Sequence, residues 1–129
     1  MILVDSSVWI AHLRGQRNSE TDKLIDAATR APLLLGDLIL LEILQGARNE
    51  AHAMRLERGL GECTRVSLLD PDLARRAARN YRTLRELGVT IRKTADVIIG
   101  TFCIEHGHSL LHADRDFLPM QKHLGLQFL

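Results

Sequence analysis

The sequence predicts an α/β protein in which a central, mostly parallel sheet is flanked by helices on both faces. Three observations carry this. Short, mostly apolar runs at Ile2-Leu3-Val4, Leu33-Leu34-Leu35 and Ser109-Leu110-Leu111-His112-Ala113 have the length and composition of buried strands. They alternate with stretches of helical periodicity, the pattern that demands crossover connections between parallel strands. Two of the runs deliver a carboxylate, Asp5 and Asp114, just past the strand, which is where open parallel sheets build their sites.

Taken in order, the opening strand is followed by a short helix from Ser7 to Arg14, stopped by Gly15. Ser19-Glu20-Thr21-Asp22 resembles a capping box, and Leu24, Ile25 and Ala28 continue a second helix to about Arg30, where Pro32 forbids extension. After the strand at Leu33–Leu35, Asp37 is expected to cap a helix from Leu38 to about Arg48. An amphipathic helix follows from Glu50 to about Leu60, then an edge strand over Thr64–Leu68. Asp70-Pro71 starts the longest helix, with Leu73, Ala77, Tyr81 and Leu84 on its apolar face and Arg75, Arg79 and Arg82 on another. That basic stripe is a solvated face or a resting place for phosphates. Gly88 ends the helix, and Thr94 opens a nearly all-apolar one with Asp96 in its first turn, closed at Gly107. The strand from Ser109 to Ala113 comes next, then an irregular segment from Pro119 and a last short strand within Leu124–Leu129.

One domain spanning residues 1–129 is expected from a chain of 129 residues with 46% apolar and 26% charged composition. Asp5 interrupts the first apolar run, so no secretory leader is expected, and there is no run of 18 apolar residues to span a membrane. Cys63 and Cys103 are too few for a disulfide framework, which points to a cytoplasmic setting. The formal net charge of +1 gives no global pull towards nucleic acid, so the distribution of charge matters more than its sum.

Four carboxylates occupy one kind of position. Asp5 and Asp114 lie beyond strand ends, Glu42 interrupts the apolar helix Leu38-Ile39-Leu40-Leu41-Glu42-Ile43-Leu44, and Asp96 begins another apolar helix. A buried, unpaired carboxylate is costly unless protonated, hydrogen-bonded or bound to a cation. Two such charges about 5 Å apart repel by roughly 3 kcal/mol at an effective dielectric near 20. An all-oxygen donor set favours Mg²⁺ or Mn²⁺ over zinc, and His106, His108 and His112 straddle a helix end and a strand without zinc-enzyme spacing. No glycine-rich nucleotide-binding fingerprint is present, and Ser6 and Ser7 lack the context of a nucleophile elbow.

The blocks Leu3-Val4-Asp5-Ser6-Ser7-Val8-Trp9-Ile10, Leu41-Glu42-Ile43-Leu44-Gln45-Gly46, Ala95-Asp96-Val97-Ile98-Ile99-Gly100 and His112-Ala113-Asp114-Arg115-Asp116-Phe117 together resemble the acidic blocks of PIN-domain ribonucleases. More narrowly, the chain is similar to the VapC toxins of toxin–antitoxin pairs. The resemblance implies a PIN-like α/β/α sandwich and endonucleolytic cleavage of RNA by metal-activated water, with Mg²⁺ or Mn²⁺ as cofactor. It implies that Asp5, Glu42, Asp96 and Asp114 are the catalytic, metal-binding acids, with Asp116 an auxiliary acid and Ser6 a supporting hydroxyl; Asp5 and Asp96, at a strand end and a helix start, are the better fixed and are expected as direct ligands. Arg14, Arg48, Arg92 and Lys93 are expected to hold the RNA backbone. The resemblance further implies a VapB-like antitoxin, for which Trp9, Met54 and Leu56 are candidate contacts, and a homodimer away from membranes. The alternatives are a non-catalytic partner-binding module and a metal-dependent DNA nuclease or phosphatase. A dehalogenase-type phosphatase would carry a second Asp where Ser7 stands.

Overall fold

A computed structural model describes residues 1–129. Five short parallel strands form one sheet: β1 (Ile2–Val4), β2 (Leu34–Gly36), β3 (Thr64–Val66), β4 (Ser109–Leu111) and β5 (Gln127–Phe128), in the order β3-β2-β1-β4-β5. Leu3 pairs with Leu34 on one side and Leu110 on the other, and Val4 with Leu111. Leu3, Val4, Leu34, Leu35, Leu110 and Leu111 are all buried, as strands covered on both faces must be. Chain order reverses between β1 and β4, so the crevice beyond their carboxyl ends lies at a topological switch point.

Helices α1 (Ser6–Leu13), α2 (Ser19–Arg30), α3 (Asp37–Leu44) and α4 (Glu50–Gly59) pack together, α1 against both α2 and α3. Helices α5 (Pro71–Glu86), α6 (Thr94–His106) and α7 (Leu118–Leu124) form a second group, α5 against α6 and α7. Central in that group is α6, buried without interruption from Asp96 to Cys103. The predicted α/β/α architecture is therefore observed, and no helix is long and apolar enough to cross a membrane.

Local chemistry explains where boundaries depart from expectation. The box at the start of α2 is built by Asn18 and Thr21, one residue ahead of the Ser19 start, with the Thr21 amide donating to Asn18 Oδ1 at 2.8 Å. Asp37 is not the cap of α3 but its first residue: its Oδ1 accepts from the amides of Leu38 (2.8 Å) and Leu68 (3.1 Å), tying α3 to the chain after β3. Helix α3 ends at Leu44, short of Arg48, because Gly46 and the Asn49 cap of α4 follow at once. Lys93, not Thr94, stands at the cap of α6.

The expected irregular segment at Pro119 is a helix. A 3-10 turn, Arg115–Phe117, runs into α7, where proline sits in the first turn and costs no hydrogen bond. Phe117 and Met120 bury completely. Met120 presses on Gly100 of α6, where any Cβ would collide with the methionine sulfur and methyl, so glycine is what lets the two helices approach. Trp9 is a core residue, Leu56 is half-buried, and Met54 is 60% exposed; of the three, Met54 presents a free apolar surface.

Candidate active site

Strand β1 stops at Val4 because Asp5 turns the chain into α1. Its Oδ2 accepts from both the Ser7 amide (3.1 Å) and the Ser7 hydroxyl (2.6 Å), so Asp5 caps α1 with one oxygen. Being a cap does not exhaust this carboxylate: only 4% of Asp5 is exposed, and it faces other acids. The Ser7 hydroxyl in turn accepts from the Ala113 amide at 3.2 Å, stitching the end of β1 to the segment after β4. Ser7 is therefore the hydroxyl that orients Asp5. Ser6, expected as a supporting hydroxyl, lies towards Glu42, where it offsets part of the cost of ionising that group.

The segment after β4 is held just as closely. The His112 ring packs between Phe117 and Phe128, with centroids at 5.1 and 4.2 Å, and its Nδ1 accepts from the Asp114 amide at 3.0 Å. Asp114 Oδ1 accepts from the Asp116 amide at 3.0 Å, which caps the 3-10 turn, and Lys93 Nζ lies 3.8 Å from Asp114 Oδ2. Oxygens of Asp96, Asp114 and Asp116 lie within 4.8 Å of one another. Asp116, expected only as an auxiliary acid, is thus part of the tightest trio, because the 3-10 turn folds it back under Asp114. Asp5 and Glu42 stand outside this trio, on the β1 and α3 sides, and bear on it through their charge, each raising the pKa of Asp96.

Electrostatics sets this cluster apart from ordinary surface acids. Burial, then the charges of Asp5 and Asp114, push the Asp96 carboxyl up to about 7. Burial and Asp5 also raise Glu42. Asp96 Oδ2 and Glu42 Oε1 are buried and have no hydrogen-bond partner, and the ion pairs of the molecule leave both groups unpaired. Buried orphan oxygens aimed at like charges are what a site shaped for a hard cation offers. Burial similarly pushes His112 down, against the opposing pull of Asp5, consistent with a neutral ring whose Nδ1 is an acceptor.

Of the expected basic residues, Lys93 reaches Asp114, while Arg14 and Arg48 line a depression of about 220 Å³ that also contains Glu42. Arg92 is exposed beside Lys93 and makes no ion pair. Nothing in the sequence distinguished Ser7 from Ser6 or marked His112 as the support of Asp114; the phase of α1 and the two flanking aromatic rings decide both.

Comparison with known proteins agrees with this geometry. A model of the PIN domain matches residues 2–122. A VapC ribonuclease of Mycobacterium bovis is 31% identical over 130 aligned residues, covering 98% of this chain and 96% of the relative. Among solved structures, VapBC2 from Rickettsia felis bound to a promoter DNA fragment has a chain that superposes with a TM-score of 0.77 at 13% identity, covering 100% of this chain and 98% of that one. A toxin–antitoxin complex from Klebsiella pneumoniae gives 0.70 at 18%, covering 91% and 90%. The structural likenesses establish the fold, and the sequence matches establish the lineage: this chain belongs to the PIN domain family, alongside the VapC ribonucleases.

Proposed function

We propose that this protein is the toxin of a toxin–antitoxin pair and acts as a divalent-metal-dependent endoribonuclease. The observation that carries the reading is the trio Asp96, Asp114 and Asp116, with Asp5 and Glu42 adding like charge from two further segments and with Asp96 Oδ2 and Glu42 Oε1 buried and unpartnered. The full-length likeness to a VapC ribonuclease supports RNA as the substrate class. The origin of a similar fold in a toxin–antitoxin complex supports a VapB-like partner.

In this reading Asp5, Glu42, Asp96 and Asp114 hold a Mg²⁺ or Mn²⁺ ion, and Asp116 joins them through the 3-10 turn. When bound, such an ion supplies neutralising charge and Lewis-acid activation of water at a phosphodiester. The chain's own residues do the rest. With its carboxyl pushed up to about 7, Asp96 is only partly ionised at neutral pH, so a cation held there would compete with protons for it. Ser7 fixes one oxygen of Asp5 and leaves the other to face the cluster, while His112 and Lys93 hold Asp114 in place. Arg14, Arg48, Arg92 and Lys93 bind the RNA backbone and offset the repulsion between phosphates and acids. The protein works as one domain over residues 1–129, in the cytoplasm, and as a homodimer.

The test is cleavage of a labelled RNA by purified protein. Cutting should require Mg²⁺ or Mn²⁺, stop with EDTA, and fall at least a hundredfold in Asp96→Asn. Cleavage that survives both EDTA and Asp96→Asn would overturn the proposal.

A further inference from the structure

The arginine stripe of α5 is not absorbed by the acidic cluster. Residues 75–93 hold seven of the chain's seventeen Lys and Arg against one acid, Glu86, although the whole chain is only +1. Three of the seven are already engaged by acids: Arg75 pairs with Asp72 at 2.8 Å, Arg76 with Glu105 of α6, and Lys93 with Asp114 at 3.8 Å. Arg79, Arg82 and Arg85 have no carboxylate within ion-pair distance, and all three are exposed. Unpaired guanidinium groups concentrated on one face repel one another, and a polyanion relieves that.

Position matters as much as charge. Helices α5 and α6 run antiparallel, with Arg76 beside Glu105 and Asn80 donating to Thr101 Oγ1 at 3.0 Å. The carboxyl end of α5 therefore lies by the start of α6, and Arg82 lines one groove with Thr94, two residues ahead of Asp96. That groove, about 430 Å³, is otherwise apolar and contains Tyr81, the chain's single tyrosine, with the Arg85 guanidinium carbon 5.9 Å from its ring centroid. A basic track with an adjacent aromatic ring is how proteins hold single-stranded nucleic acid without reading its sequence.

We infer that the solvent face of α5, through Arg79 and Arg82, carries the backbone of single-stranded RNA away from the acidic cluster, with a base lodged against Tyr81. This rests on the ribonuclease reading above. From Arg82 to Arg75 the helix advances roughly 10 Å, enough for on the order of two or three phosphates. The track engages nucleotides outside the cleavage point, so its contribution depends on RNA length.

The test compares wild type with Arg79→Gln/Arg82→Gln, whose side chains are exposed and contribute nothing to the core. For an RNA of about 20 nucleotides the double variant should raise KM roughly tenfold at 0.1 M salt, leave kcat unchanged, and lower the slope of log affinity against log salt by about 1.4. An RNA of about four nucleotides should be handled alike by both proteins. Fluorescence anisotropy with uncleaved RNA in EDTA reads the same slope without cutting. RNA binding with the expected slope but no cleavage would retain the track and sink the ribonuclease reading. An unchanged KM and slope on the long RNA, with cleavage intact, would overturn the track, as would a double variant altered only in subunit association.

Discussion

Replacing Asp96 with Asn should make the metal-free protein more stable above neutral pH while removing its activity. The Asp96 carboxyl titrates near 7 in the folded protein against an ordinary value of 3.8, because it is buried and faces Asp5 and Asp114. A raised folded-state pKa means that the fold gains from this group below pH 4. That gain is lost as pH rises through about 7. The full difference corresponds to at most about 4 kcal/mol. Asn is isosteric and uncharged, so it avoids that loss, but its amide must find partners in a space shaped for oxygens, which returns about 1–2 kcal/mol. A net gain on the order of 2 kcal/mol at pH 8 follows, worth roughly 5–10 °C in a domain of this size. Urea unfolding in EDTA at pH 5 and pH 8 measures it. Wild type should weaken between the two, and Asp96→Asn should weaken less. A variant whose stability relative to wild type is the same at both pH values would refute the electrostatic reading of this cluster.

Other perturbations separate support from chemistry. Ser7→Ala removes the 2.6 Å hydrogen bond to Asp5 and the acceptor of the Ala113 amide, so cleavage should fall about tenfold with a stability loss near 1–2 kcal/mol; equal activity in the purified variant would show that Asp5 needs no such anchor. His112→Leu leaves the Asp114 amide without its acceptor, whereas His112→Asn can supply one, so Mn²⁺ affinity should drop in the first and recover in part in the second. Indistinguishable affinities in the two would remove His112 from its supporting role. Gly100→Ala should cost about 1–3 kcal/mol by thermal unfolding because its Cβ meets Met120, and it should cost less when introduced into Met120→Ala than into wild type; an equal cost in both backgrounds would place the strain elsewhere.

Much of this site is legible in the residues, for a physical reason. Asp5 and Asp114 follow short apolar runs that read as buried strands, and Glu42 and Asp96 stand out as charges within strongly apolar helices. What was not legible depends on phase and on tertiary packing. One step along α1 decides that Ser7, not Ser6, reaches Asp5. The inward fold of Asp116 depends on Phe117 finding the core, which pulls the 3-10 turn under Asp114. Helix α7 was hidden by Pro119, a residue that breaks helices in their interior but is welcome in a first turn. Its spacing of Phe117, Met120 and Leu124 carried the missing signal. Trp9, a candidate partner contact, is instead one of the buried residues of α1.

Whether separate acids form one cation site is addressed directly by Mn²⁺ binding followed by electron paramagnetic resonance. Titrated into wild type at pH 7.5, Mn²⁺ should lose its free-ion signal and be displaced by excess Mg²⁺, while Asp5→Asn and Asp96→Asn should each weaken binding at least tenfold although one lies after β1 and the other on α6. Full-strength binding in either variant, or no binding in wild type, would contradict a shared site.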